Sequence, residues 1–410
     1  MIKKAHIVTV AEYMLMICTV LYSSVWALFT GAQSNTFSRI VIALLGLLLV
    51  SEIKSIGFAD LKKSALVAGA ILIFLFVTRY NFMRVVLYLL IPFCLFTIYF
   101  SVLQKKGEED RLFLCLSNII TVISAVSLFL YVFGTLLNLL PFSSEVRVWW
   151  GEEEKIFKTY YHLLYEAQDV TFFGLNIMRN CSIFPEAPGF AAYLALALGG
   201  ELFLRKKLKF VNISILIAAC ITSFSAKAIL LAAAAIALRF LIVRSKKPIV
   251  VISKCLLVVA AAVLAVFVIL DKMNEHSFYI RLDDFNAALK TFIANPLFGA
   301  GYYNDAAVIT HFEYAYRANN GLSMGIAVLL AQGGLWLFGL YVIPAINKVF
   351  CSQSGKRLSL GFVLIFFGML FITNIPFGMI TICAISYFGA GEKTLLTKIK
   401  EGVKKWRNKA

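Results

Sequence analysis

Residues 112–140, LFLCLSNIITVISAVSLFLYVFGTLLNLL, decide the fold class of this chain. The stretch contains no charged residue and is longer than the roughly 20 apolar residues that an α-helix needs to cross the hydrocarbon core of a bilayer. The rest of the chain has the same character, because 61% of its 410 residues are hydrophobic and 15% are charged. We therefore expect one all-α, polytopic membrane domain over residues 1–410.

Eleven more apolar segments flank this stretch. Several are close to the lower length limit of about 17 residues, so we predict about 12 transmembrane helices, within a range of 11–13. The segments are residues 8–29, 37–51, 61–77, 82–103, 112–140, 189–204, 208–224, 226–243, 249–270, 321–349, 358–373 and 377–389.

The basic residues give these segments an orientation. Most of the 39 Lys and Arg residues fall on alternate connections, starting with the N-terminal one, whereas the intervening connections are nearly neutral. Because cytoplasmic connections carry the excess of Lys and Arg, we expect both termini in the cytoplasm, with a basic tail at 391–410. The net charge of +17 then meets membrane lipid headgroups and does not indicate a nucleic-acid partner.

Two connections, 141–188 and 271–320, are long, rich in aromatic residues and placed on the predicted outer side. Loops of this length are usually functional or disordered, and this composition is not a disordered one. In the second loop, apolar residues recur every three or four positions from Leu282 to Ile293, and Asn295-Pro296 follows. This period predicts an amphipathic helix on the outer membrane surface.

The first outward loop ends in Arg179-Asn-Cys-Ser-Ile-Phe-Pro-Glu186-Ala-Pro-Gly-Phe. An Arg side chain can bind a phosphate in bidentate fashion, and a partly desolvated carboxylate can accept a proton from a hydroxyl group. These two residues are therefore candidates for an anion-binding site with a general base. A structural ion pair between Arg179 and Glu186 would explain the same pattern.

Other polar side chains gather at the outer ends of further segments. Cations collected from several outward segments indicate an anionic lipid headgroup, such as a polyprenyl diphosphate that carries a sugar chain. His311 would also be explained as an exposed loop histidine without a catalytic role, and the sequence favours that explanation. The residues are Lys227, Arg281, His311, Arg317, Asn319 and Asn320.

The sequence does not favour a metal site or another cofactor. Asp283 and Asp284 are adjacent, so on a helix their carboxylates point in different directions. No Cys and His spacing is typical of zinc, and Cys181 alone cannot form an outward disulfide framework. The glycine turn at 295–301, NPLFGAG, lacks the Gly-Lys-Ser/Thr ending of a P-loop.

Three patches of this chain resemble the bacterial O-antigen polymerase and ligase superfamily, and within it the Wzy-type polysaccharide polymerases. Residues 179–189 are similar to the family's Arg…Ile-Phe-x-Glu-Pro-Gly stretch, with Ala187 inserted after the Glu. Residues 222–227, TSFSAK, resemble its Ser-x-(Arg/Lys) turn, and Arg281 with 295–301 resembles its Arg…Asn-Pro-Leu-x-Gly-x-Gly run. Asn319-Asn320 and Gln332-Gly-Gly334 occupy the place of a His-Asn…Gly-(Leu/Ile) element, with Asn319 where many members have His.

The resemblance implies a metal-independent glycosyltransferase in the bacterial cytoplasmic membrane. Such an enzyme takes a glycan from an undecaprenyl diphosphate carrier and joins it to the next lipid-linked repeat unit, and it often works with a chain-length regulator. Arg179, Arg281 and Arg317 would bind the diphosphate, with Lys227, Asn319 and Asn320 beside them. Glu186 or His311 would act as the base, and Arg281 would stabilise the leaving group.

Two other functions compete with this expectation. A ligase that moves the finished glycan to a different acceptor would share every patch. A lipid-linked oligosaccharide flippase or another transporter would be expected to have short loops and internal repeats, and neither is visible in this sequence.

Overall fold

The computed structural model describes residues 2–29, 33–150, 153–172, 175–243, 248–273, 276–314, 321–351 and 356–390. Helices account for most of this part of the chain, because a helix satisfies its own backbone hydrogen bonds in apolar surroundings. They are α1 (Ile2–Leu21), α2 (Val25–Phe29), α3 (Gln33–Ser51), α4 (Phe58–Thr78), α5 (Phe82–Val85), α6 (Ile91–Lys105), α7 (Arg111–Leu130), α8 (Ala187–Gly199), α9 (Phe210–Thr222), α10 (Ala226–Ile242), α11 (Pro248–Met273), α12 (His276–Ala294), α13 (Asp305–Ile309), α14 (Gly325–Cys351), α15 (Lys356–Ile372) and α16 (Met379–Gly389).

Five helices in the described ranges are long and apolar enough to cross a membrane. They are Phe58–Thr78, Phe82–Lys105, Arg111–Leu136, Ala187–Leu204 and Gly325–Phe350, where π-helical segments join α5 to α6 and extend α7 and α8. Each of the 12 segments predicted from the sequence overlaps one helix or, for 8–29 and 82–103, two consecutive helices. The prediction of a helical chain with several helices able to span a membrane is confirmed, whereas the number of crossings and their orientation stay predictions.

Ion pairs connect neighbouring segments, and each pair given below joins residues of one predicted side or of the adjoining end of a predicted transmembrane segment. The pairs on the predicted inner side are Lys105–Asp60, Lys106–Glu52 (2.6 Å), Arg111–Glu12 (2.6 Å), Arg205–Glu201 (2.6 Å) and Lys348–Glu109 (2.9 Å). Those on the outer side are Arg147–Glu154 (3.7 Å) and Lys290–Glu313.

The first outward loop contains β-strands, so the expectation of an all-α chain is wrong there. Strands β1 (Ser144–Trp150), β2 (Glu153–Tyr160) and β3 (Leu164–Glu166) form one antiparallel sheet, and β4 (Asp169–Phe172) pairs with β5 (Leu175–Met178). The physical reason is a two-residue alternation: Val148 and Phe157 are buried against Val25 of α2, while Arg147 and Ile156 point outward.

The amphipathic helix predicted in the second loop is α12, and it ends at Ala294, directly before Asn295-Pro296. Its apolar stripe, which includes Leu282 and Ile293, is exposed on the surface of the chain. The opposite face packs against the protein, where Ala287 and Ala288 contact α13 and α14. The helix itself is confirmed, whereas its position on the outer membrane surface stays a prediction.

Helix α8 lies at the centre of the fold. Of the residues in the extended helix, Ala187–Leu204, 89% are buried, which is the largest share among the five long helices. It packs against α7, α10 and α15. The residue that precedes α8 is therefore held firmly at one end of the core.

Candidate functional site

Glu186 is the N-cap residue of α8, with extended backbone (φ −140°, ψ 144°). Pro188 fits the first turn of the helix, because the amide groups there have no partner within the helix. The carbonyl of Glu186 accepts the N–H groups of Gly189 and Phe190, so the backbone is fixed, while the half-buried carboxylate makes no hydrogen bond or ion pair with any described residue. The N-cap position therefore fixes the backbone of Glu186 and not its carboxylate.

Arg179 holds the first outward loop against the turn between α9 and α10. Its guanidinium donates to the carbonyl oxygens of Ser223 (3.1 Å) and Phe224 (3.2 Å) and to Gln168 Oε1 (3.4 Å). These carbonyls lie at the C-terminal end of α9, where acceptors have no helical partner. The alternative that Arg179 fixes the loop therefore has structural support, although these hydrogen bonds go to two backbone carbonyls and the Gln168 side chain and not to Glu186.

Lys227 and Arg281 meet in one cavity, which has a volume of about 430 Å³. Lys227 comes from the first turn of α10 and Arg281 from α12, so two segments far apart in sequence supply the two cations. The Ser323 hydroxyl also belongs to this lining, and it is buried without a hydrogen-bond partner in the described ranges. The remaining lining residues are apolar: Ala226, Leu230, Phe278, Leu282, Phe285, Met324, Phe371 and Ile372.

The charges of Glu186 and these cations act on one another. Burial raises the pKa of the Glu186 carboxyl above its ordinary value, and the positive charges of Lys227, Arg179, Arg281 and Lys155 oppose that rise, in this order of size. Three of the cations predicted from the sequence, Arg179, Lys227 and Arg281, therefore act electrostatically on Glu186, whereas their role in binding a substrate stays a prediction. Lys155 on β2 was missed, because its strand was not recognised.

The glycine turn at 295–301 serves the packing of α14. Gly334 (φ 60°, ψ −166°) breaks that helix, and the turn inserts at the break: Ala300 N donates to Ala331 O (2.8 Å), and Trp336 N donates to Leu297 O (2.9 Å). A Cβ at Gly299 would lie 2.5 Å from the backbone of Gln332. The turn at 295–301 and the segment 332–334 therefore contact each other directly through their backbones.

The other candidate residues do not join this cluster within the described structure. His311 follows α13, is half-buried, and donates its backbone N–H to Val308 O; no contact connects its ring to Glu186 or to the cavity. Its proposed role as a base stays untested. Arg317, Asn319, Asn320 and the tail at 391–410 lie outside the described residues.

One of the two adjacent acids of α12 makes a hydrogen bond within the second outward loop. Asp283 accepts the backbone N–H of Glu313 (2.9 Å) and so connects this part of the second loop to the helix.

Cys181, at the start of the turn before Glu186, is fully buried, and burial raises the pKa of its thiol to about 12. This thiol is therefore neutral at physiological pH and a poor nucleophile.

No protein-family model and no curated protein matches this chain. The resemblance to O-antigen polymerases and ligases therefore rests on the three sequence patches alone.

Proposed function

We propose that this protein is a Wzy-type polysaccharide polymerase of the O-antigen polymerase and ligase superfamily. It would join undecaprenyl-diphosphate-linked oligosaccharide repeat units on the outer face of the bacterial cytoplasmic membrane, with about 12 transmembrane helices and both termini inside. The observation that carries the proposal is the cavity in which Lys227 and Arg281 stand on apolar walls beside the unpaired carboxylate of Glu186.

The two cations suit the diphosphate of the donor. In the reaction, the bond between the anomeric carbon and the diphosphate oxygen breaks, and the leaving group keeps the electron pair. Lys227 and Arg281 would stabilise the negative charge that develops on that oxygen, and in a site with little water such stabilisation is strong. The apolar walls, including Leu230 and Phe285, would take the first isoprene units of the carrier.

Glu186 would serve as the general base. The acceptor hydroxyl oxygen forms the new bond to the anomeric carbon, and its proton passes to the Glu186 carboxylate. A raised pKa makes this carboxylate a stronger base than an exposed Glu, while the surrounding cations favour its ionised form. Arg179, which is already bonded to backbone carbonyls, would position the loop that carries Glu186.

The test compares Lys227→Gln and Arg281→Gln with Lys290→Gln. Lys290 lies on the same helix as Arg281, is exposed, and pairs with Glu313 outside the cavity, so it is a matched control. A hydrogen bond to a charged group contributes about 1.5–3 kcal/mol, and we therefore expect each cavity variant to lose about 10- to 100-fold in kcat/KM. The control should retain wild-type activity.

The assay follows polymer length, both in cells and with purified protein and lipid-linked repeat units in nanodiscs. Accumulation of single repeat units in the cavity variants, with normal ladders in the control, supports the proposal. Equal losses in all three variants would argue against the cavity as the site. Normal ladders in a strain that lacks the gene would refute the polymerase function and favour the transporter alternative.

A further inference from the structure

Strained backbone gathers at a second place on the predicted outer side. Arg79 (φ 51°) and Asn81 (φ 53°) lie in the turn between α4 and α5, and Tyr303 (φ 56°) lies in the second outward loop. Eight non-glycine residues of the described chain have positive φ, and three of them meet here. Such residues are uncommon and cluster at functional sites.

Direct contacts join this turn to the loop. The Asn81 side-chain amide donates to the carbonyl of Tyr302 (2.9 Å). Gly301 (φ 107°) lies so close to Tyr80 that a Cβ would be 2.8 Å from the Tyr80 Cβ. The two segments therefore interlock through backbone and side chain, and this explains how the strained conformations are held.

The tyrosines of the loop present one buried phenol and one accessible ring. Tyr302 is 0% exposed, and its hydroxyl makes no hydrogen bond in the described ranges. Tyr303 is 39% exposed and packs edge-on against Tyr302, with ring centroids 4.8 Å apart. Burial raises the pKa of the Tyr302 phenol, and the positive charge of Arg84 opposes that rise.

Two arginine side chains are exposed at this turn. Arg79 and Arg84 lie on either side of the turn, both are exposed, and neither makes an ion pair with a described residue. A planar guanidinium matches a phosphate in bidentate fashion, and an amphipathic tyrosine ring suits the boundary between lipid and sugar. This chemistry fits the diphosphate headgroup of a lipid-linked saccharide.

We propose that Arg79, Arg84 and Tyr303 bind the diphosphate headgroup of the acceptor, the second lipid-linked saccharide. This inference rests on the proposed polymerase function, because that reaction joins two lipid-linked molecules and each needs a place. The acceptor reacts through a hydroxyl at the end of its saccharide that is remote from its diphosphate. Its headgroup therefore needs cations rather than a general base, and the turn with Arg79 and Arg84 provides them on a segment other than those that carry Glu186, Lys227 and Arg281.

The experiment separates the two substrates. The donor is a lipid-linked repeat unit that lacks the acceptor hydroxyl at its non-reducing end, so it cannot serve as an acceptor. The acceptor is a C-glycoside with a methylene diphosphonate, whose bond to the sugar cannot be cleaved, so it cannot serve as a donor. Coupling is measured with purified protein in nanodiscs, with one substrate varied at a time. We expect Arg79→Gln/Arg84→Gln to raise the KM for the acceptor about 10- to 100-fold, with kcat and the KM for the donor unchanged.

Two further variants keep the test sharp. Arg84→Lys retains the charge but loses the bidentate geometry, so it should raise the acceptor KM by an intermediate factor even if the double variant folds poorly. Arg147→Gln removes an exposed outer cation on β1 and should change neither KM. Equal acceptor KM values in wild type and Arg84→Lys, or a matching rise in the donor KM, would overturn the inference while wild-type coupling still supports the polymerase. No coupling by the wild type would refute both.

Discussion

Replacing Gly334 by Ala should damage the protein far more than the same change five residues further along α14. Gly334 has φ 60° and ψ −166°, a region that is essentially restricted to glycine. A Cβ there would lie 2.5 Å from the backbone atoms of Leu297 and from the amide nitrogen of Gly299. Because backbone atoms cannot rotate away, the turn at 295–301 would have to leave its position.

The cost has two sources. The backbone conformation alone costs about 1–3 kcal/mol for a residue other than glycine. Displacing the turn also breaks hydrogen bonds such as Leu335 N to Pro296 O (2.9 Å) and Gly301 N to Gln332 O (3.0 Å), each contributing about 0.5–1.5 kcal/mol. We therefore expect Gly334→Ala to lose on the order of 3–5 kcal/mol of folding free energy.

Gly339→Ala is the matched control in the same helix. The nearest atom to a Cβ at Gly339 is Ile343 Cδ1 at 3.9 Å, and a helical glycine replaced by alanine gains about 0.5–1 kcal/mol. Thermal unfolding of the purified variants, followed by tryptophan fluorescence, should show a lower Tm for Gly334→Ala and an equal or higher Tm for Gly339→Ala. Equal Tm values for the two variants would show that the turn does not depend on Gly334.

Two more predictions test the strained and buried groups. Burial raises the folded-state pKa of Glu186, so folding disfavours its ionised form. The Tm of Glu186→Gln minus that of wild type should therefore increase as pH rises from about 4 to 7, while the variant loses catalytic activity. A constant Tm difference across that range would contradict the raised pKa. Tyr161 (φ 54°) and His162 (φ 57°) occupy a tight turn between β2 and β3, and the sequence Asn-Gly is favoured in such a turn. Tyr161→Asn/His162→Gly should therefore stabilise the protein by about 1 kcal/mol, as measured by thermal unfolding. A lower Tm would show that the contacts of the two aromatic side chains stabilise the protein more than the backbone strain destabilises it.

The helices could be predicted because long apolar runs leave the backbone almost no alternative in a membrane. The strands of the first outward loop were missed for the opposite reason. Its alternation is short, and aromatic residues such as Trp149 and Tyr160 interrupt the simple pattern of polar and apolar positions. In sheets of this kind the pairing partner decides the structure as much as the local sequence does.

The cationic cluster could be predicted as a set but not as a geometry. Sequence position and charge predicted Arg179, Lys227 and Arg281 at the outer membrane surface, which is enough to group them on one side of the protein. Contacts between distant segments decide which of these residues fixes a loop and which lines the cavity. Arg179 is bonded to the end of α9, whereas Lys227 and Arg281 open into the cavity, and no local pattern distinguishes these roles.

One short segment connects the two proposed binding places. The turn at 295–301 follows α12, which carries Arg281, and leads directly to Tyr302 and Tyr303 beside Asn81. Its backbone is fixed in the break of α14, so the spacing between the donor cavity and the acceptor cluster is set by a rigid contact. Joining two large lipid-linked saccharides needs such fixed spacing, because a small misplacement of the reacting atoms costs a large part of the rate. The close approach of Gly299 to Gln332 and Gly334 is therefore as much a part of the proposed site as its cations are.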